Sequence, residues 1–310
     1  MFGRRSDGTR MKGIDPIVAL TPYIMPQRSD SQVFTRQDLD FDEMTRYIRE
    51  QKKKGVNVTH MGMFIAAYVR MLCDYPEMNR FIVNKKLYSR NHVCVSFVTL
   101  RKTADDSVEE ALCKVQFDLK DTIYDVSRRL SEAIENGRKE VGVNKTDAVA
   151  RALMSTPLLP NIVVRLAYFM DAHGILPKFI HDASPFHTSL FITNMASIGM
   201  PAVRHHIYNF GTTTMFFSIG SVERTVTMEN GKAVRKRLLP IGVTADERIC
   251  AGAMYARLVA GMKYCLAHPS VLEQPAEHVR FEENNVYHVE KPQGREEKLA
   301  AEESKNALTE

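Results

Sequence analysis

The chain lacks the cysteine patterns and charge blocks that identify several classes of protein. Its five cysteines are odd in number and include no Cys-x-x-Cys pair, so we expect reduced thiols rather than a disulfide framework. No block of five or six like charges occurs, and the net charge is +5. This modest and dispersed positive charge favours small anionic ligands over nucleic acid as binding partners.

Long apolar runs are absent as well. The best candidate for a membrane span is the segment 162–170. It contains Arg165 and is much shorter than the roughly 18 residues that span a membrane. The first residues of the chain contain no apolar segment of the kind found in secretory signals. We therefore expect a cytoplasmic protein without a membrane span.

The 310 residues are enough for one large domain or two small ones. Strand and helix periodicities recur between residues 31 and 275, and Asn230-Gly231 is typical of a hairpin turn. This region is predicted to be one α+β domain with a large sheet. Residues 1–30 are predicted to form an arm that packs on the surface or on a neighbouring molecule. Residues 276–310 are predicted to be a partly disordered tail, because they are rich in Glu, Lys and Ala and lack an apolar face.

The segment from Asp246 to Gly252 carries the most specific signal. It has Asp246, Arg248 and Gly252 at the spacing of the D-H-R-x-x-D-G motif, and so it resembles the catalytic domains of the dihydrolipoamide acyltransferases in 2-oxoacid dehydrogenase complexes. Chloramphenicol acetyltransferase has a related motif. The resemblance is incomplete, because Glu247 stands where the family has its His and Ala251 stands where it has its second Asp.

Other segments resemble the same family and occur in the family's order. They are residues 33–44, 64–82 and 189–199, together with 239–273 around the motif. The resemblance therefore extends over about residues 30 to 275 and implies the chloramphenicol acetyltransferase-like fold, a large mixed sheet flanked by helices. Residues 101–121 lack the family's Gly- and Pro-containing stretch, and we expect no lipoyl or subunit-binding domain upstream.

The resemblance implies acyl transfer that depends on coenzyme A, with the motif His as the base and a strand hydroxyl as donor to the oxyanion. Thr193 stands at the position of that hydroxyl, although threonine is also common in strands. Glu247 would have to replace the base. A free glutamate, with a pKa of about 4.3, is a poor base for a thiol whose pKa is about 8.5, unless burial raises its pKa. The alternative is that Glu247 forms a structural salt bridge.

Further candidates follow from the altered motif. His206, in the doublet His205-His206, is a candidate for a relocated base, with surface or interface packing as the alternative, and His187 is a similar candidate. Asn194 and Arg248 are assigned to substrate binding. Because Ala251 cannot pair with Arg248, Asp246 or another carboxylate is expected to do so. The histidines show no metal-ligand spacing, so no metal site is predicted.

Three hypotheses remain open at this point. In the first, the chain is a stand-alone relative of the acyltransferases that is impaired in the His-based mechanism but able to bind coenzyme A or an acyl-CoA. In the second, it is a non-catalytic scaffold or regulatory protein. In the third, it is an active transferase that uses Glu247 or a relocated His. The resemblance implies a homotrimer with active-site channels between subunits, no covalently bound cofactor, and a lipoyl domain of another chain or a different protein as partner.

Overall fold

The computed structural model describes residues 5–102, 108–139 and 159–282. Its largest element is a seven-stranded mixed sheet in the order β2-β10-β8-β7-β5-β6, with β9 paired to β10. A second sheet has the order β1-β4-β3. The strands are β1 (Gly8–Arg10), β2 (Gln32–Asp40), β3 (Arg80–Val83), β4 (Lys86–Arg90), β5 (Val93–Lys102), β6 (Val108–Phe117), β7 (Leu190–Asn194), β8 (Met215–Ile219), β9 (Glu223–Glu229) and β10 (Lys232–Asp246).

The chain has seven α-helices among the described residues. They are α1 (Pro16–Ile24), α2 (Phe41–Lys53), α3 (His60–Asp74), α4 (Ile123–Lys139), α5 (Leu159–His173), α6 (Lys178–Ala183) and α7 (Gly252–Ala267). Helices α2, α3, α4 and α7 form the layer that packs on the large sheet, and α1 contacts β4 of the second sheet. The α+β class and the large mixed sheet flanked by helices are thus confirmed. The apolar pattern of residues 146–154 also predicts a helix, and this segment lies outside the described residues.

The boundaries of the central helices follow from capping residues. The carboxylate of Asp40 accepts hydrogen bonds from the backbone N–H groups of Asp42 and Glu43, and α2 begins there. The hydroxyl of Thr59 accepts one from Gly62 at 3.0 Å and starts α3. Helix α3 is buried along most of its length, as its apolar sequence predicts. It packs between α4 and α7 against the sheet and so fixes the core beneath β7, β8 and β10.

An extended segment crosses the opposite face of the sheet. We call residues 200–211 the strap. The hydroxyl of Ser218 in β8 donates to the backbone oxygen of Val203 at 2.6 Å, and that of Thr244 in β10 donates to the oxygen of His205 at 2.5 Å. The strap lies close to the strands because Gly242 presents no side chain where Val203 crosses it. It therefore runs along β8 and β10 toward the end of β10.

The described part of the N-terminal arm contains a strand and a helix that its sequence pattern does not predict. Strand β1 pairs with β4, and α1 begins after Asp15, whose carboxylate accepts from the N–H groups of Ile17 and Val18. A strand of three residues is too short to produce a detectable period of two. At the other end, Arg280 donates from its backbone N–H to the oxygen of Cys73 at 2.8 Å, which holds the first residues of the tail against α3.

Among the described residues, no helix combines the length and the apolar character that a membrane span requires.

Candidate active site

The altered motif forms a tight turn between β10 and α7. Strand β10 ends at Asp246 and α7 begins at Gly252. Glu247 is exposed in this turn, and its backbone N–H donates to the oxygen of Ser31 at 2.9 Å. No ion pair of its carboxylate occurs in the described parts of a single chain. The structural salt bridge considered for Glu247 is therefore not found there.

Asp246 is the centre of a buried charge cluster. Both carboxylate oxygens accept from Arg248, at 2.8 Å from Nε and 2.7 Å from Nη2. Nε of Arg28 lies 3.6 Å from the same carboxylate, and the hydroxyl of Ser31 donates to it at 3.0 Å. Asp246 has thus taken the pairing with Arg248 that Ala251 cannot provide. All three charged side chains are buried.

Arg28 holds the surroundings of this cluster together. Its two Nη atoms donate to four backbone oxygens, those of Ile82, Tyr208, Asn209 and Gly211. Burial lowers the pKa of Arg28 to about 10, against the attraction of Asp246, so the guanidinium stays charged near neutral pH. Since both of its Nη groups donate to backbone oxygens, Arg28 serves mainly to join the strap and β3 to the motif.

Ala251 leaves the N-terminus of α7 without a side-chain cap. It occupies the N-cap position with an extended backbone and makes no capping hydrogen bond. It is also exposed, so that a longer side chain has room there. Position 251 therefore supplies neither a charge nor a side-chain cap to the start of α7.

We expect Ala251→Asp to raise the free energy of unfolding by about 1 kcal/mol, because the carboxylate can accept from the free N–H groups of the first turn of α7. Chemical denaturation of the two proteins measures the difference. Ala251→Leu serves as the matched control, since leucine supplies no acceptor and is as poor an N-cap as alanine. Equal stability of the Asp and Leu variants would contradict the capping geometry.

Thr193 and Asn194 lie far from the motif within one chain. Thr193 is opposite Ser218 in β8, and Ser218 is opposite Gly242 in β10. Gly242 precedes Glu247 by five residues, which corresponds to about 16 Å along a strand. The hydroxyl of Thr193 contacts Sδ of Met195 at 3.8 Å, and Asn194 is exposed. A single chain therefore does not bring Thr193 and Glu247 together.

His206 lies on the same end of the sheet as Glu247. It is exposed and follows His205, whose ring stacks on Phe216 with centroids 3.9 Å apart. The next residue, Ile207, accepts at its backbone oxygen from Nε2 of Gln32. Burial lowers the pKa of His205, so its ring is neutral and serves in packing, while His206 is the member of the doublet that solvent reaches.

A basic pocket of about 460 Å³ lies beside the motif turn. Arg28 and Arg248 form part of its wall, and Lys85 lies on the rim contributed by the turn between β3 and β4. Tyr168 and Asp171 of α5 line the opposite side. Of the two residues assigned to substrate binding, Arg248 is therefore at a cavity, and Asn194 is at the distant end of β7.

The surroundings of Cys250 do not favour a reactive thiolate. Its thiol is buried at 3.3 Å from Sδ of Met78, and burial raises its pKa to about 12. A neutral, inaccessible thiol is a packing group rather than a nucleophile.

Sequence reasoning missed a second group of buried polar residues. Asp171, His181 and His187 come from α5, α6 and the loop before β7, and their side chains converge. Arg5 and Asp7 of the arm contact them. No spacing in the sequence indicates this group, because helix packing rather than a local motif brings its members together.

The fold is similar to that of the acyltransferase catalytic domains of 2-oxoacid dehydrogenase complexes. The cubic core of a pyruvate dehydrogenase complex matches 84% of the chain and 93% of its own length, with a TM-score of 0.53 at 14% identity. The dihydrolipoamide acetyltransferase of Azotobacter vinelandii matches 84% of the chain and 94% of its own length, with a TM-score of 0.53 at 16% identity. A probable dihydrolipoamide acetyltransferase from Listeria monocytogenes 4b F2365 matches 90% and 99%, at 0.51 and 13%.

At these identities the likeness confirms the predicted fold but does not establish an activity. Comparison of the sequence with protein-family profiles and with curated proteins gives no match. The activity of the chain therefore has to be argued from its own site.

Proposed function

We propose that the chain binds coenzyme A or an acyl-CoA as a homotrimer and is impaired in the His-based transfer of the acyl group. The observation that carries the proposal is the combination of a basic pocket with an altered motif beside it. The pocket borders Arg248, the motif residue, and has Lys85 at its rim. Cationic side chains around a cavity of this size suit a ligand that carries phosphate groups.

The impairment follows from the residues in the turn. In the Azotobacter vinelandii enzyme a serine, a histidine and an asparagine have been investigated for their role in catalysis, and the latter two are four residues apart. Glu247 and Ala251 have this spacing but neither an imidazole nor an amide. An effective carboxyl base requires apolar surroundings or a positioned partner. Glu247 is exposed, and its carboxylate has no ion pair among the residues of one chain that the structure describes.

Assembly into a trimer is supported by the separation of Thr193 from Glu247. A second copy that places the end of its β7 beside the motif turn would complete the pair. The surface also favours association, since Ile162, Leu166 and Phe169 of α5 are more than half exposed. Contiguous exposed apolar side chains mark protein interfaces. Cores of dehydrogenase complexes are among the structures with this fold.

We expect isothermal titration calorimetry to detect micromolar binding of coenzyme A and acetyl-CoA by the wild-type protein. Lys85→Gln is expected to weaken binding by about tenfold, because one charge-assisted hydrogen bond to a phosphate is lost. Lys232→Gln, at the exposed hairpin, is the matched control and should bind as the wild type does. Glu247→Gln should retain binding of coenzyme A. In assays of acetyl transfer from acetyl-CoA to thiol acceptors, Glu247→Gln and Thr193→Ala should both give the background rate.

Two outcomes would contradict the proposal. If a protein of trimeric mass binds no coenzyme A at millimolar concentration, the scaffold hypothesis takes its place, and the exposed apolar helix α5 becomes the first surface to test for partners. If the wild type transfers acetyl groups and Glu247→Gln or His206→Gln abolishes turnover without loss of binding, the chain is an active transferase with an unusual base.

A further inference from the structure

Three potential metal ligands converge in the protein interior. They are Asp171 at the end of α5, His181 in α6 and His187 in the loop that leads to β7. One ligand atom of each lies within 4.8 Å of those of the other two. All three side chains are buried. Two imidazoles and one carboxylate are a common donor set for zinc and other divalent transition metals.

His187 is oriented as a metal ligand is. Its Nδ1 lies 2.8 Å from the hydroxyl of Ser184, which fixes the ring and directs Nε2 toward Asp171, whose Oδ1 is 3.5 Å away. This distance is too long for a hydrogen bond, and Nε2 has no hydrogen-bond partner among the described residues although it is fully buried.

A cation of the protein already lies among these donors. Nη2 of Arg5 is 2.8 Å from Oδ1 of Asp171, 2.8 Å from Oδ2 of Asp7 and 3.5 Å from Nε2 of His181. Arg5 supplies one positive charge beside the carboxylates of Asp7 and Asp171, whereas a divalent ion would supply two. Asp7, whose Oδ2 is 2.9 Å from Nε2 of His181, is the nearest candidate for a fourth ligand.

We propose that Asp171, His181 and His187 form a binding site for a divalent transition metal such as Zn²⁺ or Co²⁺, and that Arg5 fills this site as an internal cation when the metal is not bound. Asp171 also lines the basic pocket, which gives the ion a path of entry. Metal binding displaces the guanidinium of Arg5 from the site, and it couples the N-terminal arm to the pocket.

Cobalt titration tests the site, because Co²⁺ bound by nitrogen and oxygen donors in a low-symmetry site absorbs visible light. The untagged full-length protein is first freed of metal by a chelator. We expect a saturable visible band for the wild type and affinity on the order of tenfold higher for Arg5→Gln, the scale at which neighbours of a metal ligand alter affinity. His187→Asn should lose the band, and His278→Asn, which changes an exposed histidine, should keep it. Zn²⁺ should displace Co²⁺ in each binding variant.

The variants separate metal binding from folding. If His187→Asn does not fold, Arg5→Gln and Arg5→Lys still decide the question, because both retain every proposed ligand. A folded Arg5→Gln protein that shows no saturable band at millimolar Co²⁺ would overturn the proposal, as would equal affinity of Arg5→Gln and the wild type. Anomalous scattering at the zinc edge from crystals of Arg5→Gln is expected to give a peak between Asp171 and His187, and a peak elsewhere would also overturn it.

Discussion

Asp246→Ala is expected to lower the free energy of unfolding by about 3–5 kcal/mol, the range observed when one partner of a buried ion pair is removed. The substitution removes the carboxylate that pairs with Arg28 and Arg248, and both guanidinium groups are buried. Because the two side chains are almost completely removed from solvent, the desolvation cost of two cations is no longer offset. Urea denaturation of the two proteins measures the difference.

Asp38→Ala is the matched control. Asp38 forms an ion pair with Arg36 at 2.8 Å, but the two side chains are 43% and 51% exposed. Such pairs contribute at most about 1 kcal/mol because solvent screens them, so this variant should differ little from the wild type. Asp246→Asn preserves the shape and some hydrogen bonds and is expected to fall between the two. A loss for Asp246→Ala no larger than that for Asp38→Ala would show that the cluster is hydrated in solution.

The core elements of the fold could be predicted because their signals are local. Thr59 marks the start of α3 through its hydroxyl, and Asn230-Gly231 marks the hairpin through the positive φ angles of 49° and 75° that the turn requires. The helix α6 and the strand β1, with six and three residues, were not predicted. Elements this short depend on packing with distant parts of the chain rather than on periodicity.

The candidate site was predictable only in part, for the same physical reason. The motif and its altered residues are visible in one short segment, and the pairing of Asp246 with Arg248 follows from their proximity. Arg28 joins this cluster from a distant position in the chain, and Asp171 and His187 meet through the packing of α5 and the loop before β7. Side-chain convergence of this kind has no signature in the spacing of a single sequence.

Gly242→Ala is expected to destabilise the protein by about 1–3 kcal/mol, the usual cost of overpacking. A Cβ atom at Gly242 would overlap the backbone oxygen of Val203 and the hydroxyl of Ser218. The same hydroxyl bonds both backbone groups of Val203, so the strap cannot shift without losing these bonds. The backbone of Gly242 itself is not in the left-handed region, and the effect is therefore steric rather than conformational.

Gly252→Ala gives the control that isolates this contact. A Cβ atom at Gly252 meets nothing within 4 Å, and alanine at the start of α7 is favoured over glycine by up to about 1 kcal/mol. This variant should be at least as stable as the wild type.

The exposed Arg204 in the strap supplies a second measurement, since trypsin should cleave there faster in Gly242→Ala and at an unchanged rate in Gly252→Ala. Unchanged stability and cleavage in Gly242→Ala would mean that the strap does not lie on β10. His206 would then not lie near the motif turn, because the strap is what brings that histidine to the same end of the sheet as Glu247.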